Sequence, residues 1–143
     1  MPLTPNEREA LLLAAELASR QAWVPYSDFP VGAAVLTQEG RTLTGCNIEN
    51  ASYGLTLCAE RVALAKALSD GARTFRAVAV WAARTPHGAV TPCGACRQWL
   101  AEFLDAESSE ILMRRPEDGS ILSLRVMDLL PAAFQLESKH SAQ

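Results

Sequence analysis

Two cysteines stand three apart in Pro92-Cys93-Gly94-Ala95-Cys96, and a third, Cys58, precedes an acid in Cys58-Ala59-Glu60-Arg61. Positions i and i+3 at the start of a helix share one face, so the sulfurs of Cys93 and Cys96 can reach a single metal ion. Cys58 opens a second expected helix, and the partial positive charge of a helix N-terminus favours thiolate over thiol. Three thiolates on a tetrahedral zinc leave one position for water, the arrangement of a catalytic site. A C-x-x-C pair by itself fits a redox or core role as well as a metal site. Adding Cys-x-Glu at a second helix start makes the combination specific for an open zinc centre with Glu60 beside it.

The fourth cysteine, Cys46, falls inside the expected strand Thr42-Leu43-Thr44-Gly45-Cys46-Asn47-Ile48, where a small apolar side chain fits. As a fourth ligand it would close the centre against water and leave Glu60 without a task, so it reads as core filler. His87 and His140 lie in a loop and a polar tail, and the ligand set is complete without them. Zinc held by Cys58, Cys93 and Cys96, one ion per chain, with an acid that is not a ligand, resembles the pattern of zinc nucleobase deaminases, with Cys58 in the place of a histidine.

The elements that must position these residues are legible in outline. Thr4-Pro5-Asn6-Glu7 combines a capping threonine, a first-turn proline and a glutamate three residues after the cap, so it starts a helix expected to run to about Ala22. Val31 to Thr37 and Thr42 to Ile48 predict a hairpin turning at Glu39-Gly40. A helix is expected from about Cys58 to Ser69, stopped by Asp70-Gly71, and a buried strand from Phe75 to Ala82. Thr91-Pro92 predicts the start of a helix to about Leu104. Glu110 to Met113 and Ile121 to Val126 predict strands joined through Pro116-Glu117-Asp118-Gly119, and Asp128 to Phe134 a short apolar closing segment. The expected fold is a three-layer α/β/α sandwich around one mixed five-stranded sheet.

Composition narrows the class further. The chain has 143 residues, 49% apolar and 20% charged, which suits one globular domain, expected over residues 1–134 with a polar tail at 135–143. Nothing approaches eighteen uninterrupted apolar residues, so no membrane partner is expected. The first residues lack a signal-peptide pattern, which makes the cytoplasm the default compartment and metal or catalysis the default use of the cysteines. Net charge is −3 with no basic run, which disfavours a nucleic-acid partner and favours a small molecule.

Nearly the whole chain resembles the short, homotetrameric class of cytidine deaminases. The resemblance is carried by Tyr26-Ser27-Asp28-Phe29-Pro30-Val31-Gly32-Ala33-Ala34, Asn47-Ile48-Glu49-Asn50-Ala51-Ser52-Tyr53, Cys58-Ala59-Glu60-Arg61, Pro92-Cys93-Gly94-Ala95-Cys96-Arg97-Gln98 and Leu129-Leu130-Pro131-Ala132-Ala133-Phe134. It implies hydrolytic deamination of cytidine and 2′-deoxycytidine, with Glu60 as the proton shuttle. It also implies that Asn47 and Glu49 bind the ribose, that the Ala59 backbone meets the pyrimidine carbonyl, and that the Thr91 carbonyl lies near the leaving amine. Phe29 resembles an aromatic wall for the base, Phe134 one lent by a neighbouring subunit, and Arg61 an arginine that hydrogen-bonds the thiolates. Read without the resemblance, Asn47 and Glu49 could simply shape the turn after a strand, and Phe134 could pin the C-terminus. Deamination of an aminoacylated nucleoside antibiotic, a structural zinc module and a polynucleotide editor are the competing functions.

Overall fold

Small or apolar side chains occupy nearly every position of Val31-Gly32-Ala33-Ala34-Val35-Leu36-Thr37, so a strand here must be covered on both faces. The computed structural model, which describes residues 1–85 and 87–139, places this segment inside a five-stranded sheet. There β1 (Val31–Thr37) pairs antiparallel with β2 (Thr42–Cys46) and with β3 (Phe75–Ala82). β3 runs parallel to β4 (Glu110–Arg114), which pairs antiparallel with β5 (Ile121–Arg125), giving the order β2-β1-β3-β4-β5.

Strand alternation sends the two sets of side chains to different helices. Ala34, Leu36, Ala77, Ala79 and Leu112 pack with Leu11, Leu12 and Ala15 of α1 (Pro5–Ser19). Ala33, Val35, Val78, Val80, Ile111 and Met113 pack with Ala63, Leu64 and Ala67 of α2 (Ala59–Ser69) and Leu100 of α3 (Gly94–Phe103). The expected three layers therefore form, closed by the short α4 (Val126–Leu129).

Element ends differ from expectation where tertiary contacts compete with local propensity. The capping box of α1 forms, with Thr4 Oγ1 accepting from Glu7 N at 3.2 Å and Glu7 Oε2 accepting from Thr4 N at 2.8 Å. The helix nevertheless stops at Ser19 and not Ala22, because Trp23 exchanges backbone hydrogen bonds with Asn47 and Glu49, at 3.0 and 2.9 Å. β2 stops at Cys46 and not Ile48, since Ile48 leaves the sheet to pair with Leu57. α3 begins at Gly94 and not Thr91: a residue before proline is pushed out of the helical region, and Cys93 keeps extended angles. The chain closes in a helix over Val126–Leu129, earlier than the expected Asp128–Phe134 segment, once the Asp128 carboxylate accepts from Arg125 N at 2.9 Å. His140 lies outside the described residues.

Two glycines set the layer spacing. A Cβ on Gly32 would stand 1.8 Å from Ala15 O of α1, and one on Gly45 would stand 2.5 Å from Ala63 N and 2.8 Å from Ala59 O of α2. The second contact matters most for function, because it presses the first turn of α2 against β2. Gly45→Ala should lower stability by about 1–3 kcal/mol through overpacking. Gly54→Ala, with nothing within 4 Å of its added methyl, should change it by less than about 0.5 kcal/mol. Urea denaturation of both variants checks this, and equal midpoints would show that the β2–α2 spacing is slack.

Candidate active site

Cys58 is the N-cap of α2 and Cys93 the N-cap of α3, both with extended backbone angles (φ −74°, ψ 151° and φ −67°, ψ 169°). A serine or aspartate at this position would turn its side chain back onto the first-turn amides. Neither cysteine does so. Both sulfurs instead point toward Cys96, three residues into the α3 segment, and the three Sγ atoms lie within 4.8 Å of one another. The expected trio is brought together.

The donor set fits zinc. Tetrahedral Zn–S bonds of about 2.3 Å put ligand sulfurs about 3.8 Å apart, and Cys58 Sγ lies 3.8 Å from Cys93 Sγ. All four cysteines are free thiols, and Cys46, at the end of β2, lies outside the cluster. The cluster grades from buried Cys96 through half-buried Cys58 to exposed Cys93. Proton sharing with Cys96, together with Arg61, holds the Cys58 thiol down at about 5, and the same sharing pushes Cys96 up. These donors favour the thiolate form that metal capture requires.

Glu60, at the second position of α2, is only 5% exposed. Burial pushes its carboxyl above the ordinary range, and the neighbouring Cys58 thiolate adds to the shift, while a bound divalent cation would act the other way. Arg61 donates from Nη2 to Thr56 O at 3.1 Å and to Cys58 Sγ at 3.5 Å. Its Nε is buried and has no partner among the described residues. Beside the cluster opens a cleft of about 190 Å³, lined by Asn47, Thr56, Cys58, Glu60, Thr91 and Cys93 among others.

The family signature described as the cytidine and deoxycytidylate deaminase zinc-binding region matches residues 5–109. The cytidine deaminase of Sporosarcina psychrophila is 49% identical over 129 residues, 90% of this chain and 92% of that protein. The chain belongs to the cytidine deaminase family. The crystal structure of cytidine deaminase from Burkholderia pseudomallei superposes with a TM-score of 0.81 at 44% identity, covering 92% of this chain and 100% of that one. That from Mycobacterium tuberculosis gives 0.75 at 42% identity, covering 90% and 97%. The shared zinc-binding region and the three-sulfur cluster together give this deaminase one zinc per chain.

The other residues singled out in the sequence fall in several places. Ala59 is buried at the first position of α2, next to the cleft, and Thr91 lines the cleft from the α3 side. Asn47 also lines it, yet its amide is already engaged: Nδ2 donates to Phe29 O at 2.8 Å and Oδ1 accepts from Val31 N at 2.9 Å. Glu49 faces an adjoining hollow with Tyr26, Ser27 and Tyr53, reached past Thr56, which borders both spaces. Its Oε1 accepts from Tyr26 N at 3.0 Å and Ser27 N at 3.1 Å, and Oε2 from the Ser27 hydroxyl. These donors hold its carboxyl below the ordinary range. Asn47 and Glu49 therefore build the Tyr26–Val31 loop, and Asn47 retains one donor and one acceptor lone pair beyond those bonds. Phe29 is half-buried in that loop, with the Arg84 guanidinium 5.3 Å above its ring. Phe134 is 68% exposed, and its backbone carbonyl, not its ring, is held, by Gln98 Nε2 at 3.2 Å.

One contributor had no signal in composition or spacing. Arg97 donates to Pro92 O at 2.7 Å, Leu129 O at 2.8 Å and Thr91 Oγ1 at 3.1 Å, gathering the loop that carries Cys93. It reads in sequence as one more helix-surface arginine, because its acceptors, two backbone carbonyls and the Thr91 hydroxyl, come into reach only on folding.

Proposed function

We propose that this chain hydrolyses the exocyclic amine of cytidine and 2′-deoxycytidine, giving the uridine product and ammonia, in pyrimidine salvage. The observation that carries the reading is the buried Glu60, two residues after Cys58, beside a three-cysteine cluster that borders an open cleft. Zinc bound by those sulfurs would supply a water of lowered pKa as the nucleophile.

Cys58, Cys93 and Cys96 hold the ion, and Arg61 draws charge from the Cys58 sulfur. Glu60 takes a proton from the attacking water and delivers it to pyrimidine N3, which makes C4 electrophilic. After attack at C4 it takes the second water proton and passes it to the amine, so the C–N bond breaks and ammonia leaves. A carboxyl whose affinity for protons is raised by burial suits this two-way traffic. Ala59 N–H, one of the free donors at the start of α2, suits the pyrimidine carbonyl, and the Thr91 carbonyl suits the amine. The remaining donor and acceptor of Asn47, with Glu49 from the adjoining hollow, suit the ribose hydroxyls, and Phe29 walls the base.

Residues 1–134 act as one domain in this reading, with 135–143 a tail. No helix among the described residues is long and apolar enough to cross a membrane. A cytoplasmic location follows from the requirement for reduced ligand thiols. A homotetramer is supported by the unusual exposure of apolar groups: Trp23 at 61%, Tyr53 at 75%, Leu55 at 66% and Phe134 at 68%. Phe134 then serves a neighbour's cleft.

Glu60→Gln should keep one zinc per chain and lose about 10²- to 10⁴-fold in turnover of cytidine, followed by loss of cytosine absorbance. Loss of zinc would make Glu60 a ligand, and full activity would remove it from the chemistry. Phe134→Ala should stay oligomeric by sedimentation while kcat/KM falls about tenfold or more, within the range of aromatic contact energies at interfaces. An unchanged kcat/KM in that variant would take Phe134 out of the site.

A further inference from the structure

The chemistry above makes no use of Arg97, yet its side chain is the most heavily committed one near the cluster. It is half-buried on the first turns of α3, directly after Cys96. Its three hydrogen bonds go to neutral acceptors: Nε to Pro92 O at 2.7 Å, Nη1 to Leu129 O at 2.8 Å, and Nη2 to Thr91 Oγ1 at 3.1 Å. The ion pairs among the described residues involve Arg8, Arg41, Arg76, Arg114 and Arg125, and not Arg97. The guanidinium fork is thus spent on holding backbone in place, a task that needs several donors in one plane.

What it holds are two segments distant in sequence. Thr91 and Pro92 are the residues immediately before Cys93, the most exposed of the three cysteines. Leu129 ends α4 and leads into the segment that carries Phe134. A second strut comes from the next residue of the same helix, where Gln98 Nε2 reaches Phe134 O at 3.2 Å. We infer that Arg97 is a positioning residue coupling the metal-ligand loop to the C-terminal segment, so that zinc on the cluster orders residues 129–134 and their order in turn retains the zinc. The inference rests on the reading that Cys58, Cys93 and Cys96 hold the ion. Reciprocity follows from linkage: whatever the ion does for the segment, the segment does for the ion.

Hydrogen exchange read by mass spectrometry, on zinc-loaded and chelator-stripped protein, tests both directions. In the wild type, zinc should slow exchange of a peptide spanning Val126 to Leu136 by about tenfold more than it slows exchange in α1, the counterpart by linkage of the tenfold in metal affinity that a group behind a ligand contributes. Arg97→Gln should abolish that extra protection and release zinc to a competing chelator about tenfold faster. Arg97→Lys, which keeps the charge but not the fork, should restore neither readout. An Arg97→Gln protein that keeps wild-type zinc release and wild-type protection would overturn the inference, and full rescue by lysine would reduce Arg97 to a charge. If Arg97→Gln does not fold, the wild-type comparison decides alone, since equal effects of zinc on the C-terminal peptide and on α1 contradict a specific coupling. Absence of zinc from the wild type would overturn the metal reading and this inference together. A zinc-loaded wild type with an uncoupled C-terminal segment would overturn this inference alone.

Discussion

A helix-capping residue has extended backbone angles, and its side chain ordinarily satisfies the free amides of the first turn. Cys58 and Cys93 occupy that position on neighbouring helices and leave those amides uncapped, so both sulfurs are free to meet Cys96. The rest of the architecture serves this meeting of two helix starts. Gly45 lets the backbone of α2 press onto β2, Pro92 keeps Thr91 out of the helical region so that α3 cannot start before it, and Arg97 fastens the loop. Displacing either helix start by an ångström or so would spoil a 3.8 Å sulfur–sulfur spacing that matches tetrahedral zinc.

Charge explains the cluster's other neighbours. Three thiolates around a divalent cation carry a net −1, and excess negative charge makes a bound water less acidic. Two helix N-termini and the Arg61 guanidinium face that charge with positive potential, the arrangement that would offset it. The same surroundings act oppositely on Glu60, whose burial beside the Cys58 thiolate favours its protonated form. The two groups, two residues apart, are thus pushed in opposite directions, because donors stabilise the charge on one and burial deprives the other of water.

The cysteine trio, Glu60, the layer order and most strand limits were legible in sequence because each rests on local chemistry or on a two-residue alternation. The ends of α1 and β2 were not, since Trp23 and Ile48 are drawn away by partners more than twenty and nine residues distant respectively. The double commitment of Asn47 and Glu49 to the Tyr26–Val31 loop was hidden for the same reason. Both sequence readings of the pair, turn-shaping and ribose-binding, concern atoms of one small loop, and its hydrogen bonds leave room for both. Arg97 was invisible because nothing about an arginine in a helix announces that its acceptors are carbonyls five and thirty-two residues away in the chain and a threonine hydroxyl six residues away.

X-ray absorption at the zinc edge of the purified protein tests most directly whether the two helix starts build an open three-thiolate centre. It should show three sulfur scatterers at about 2.3 Å and one lighter oxygen or nitrogen scatterer at about 2.0–2.2 Å. Four sulfur scatterers, with Cys46 recruited, would mean a closed structural site and would contradict a catalytic role for Glu60.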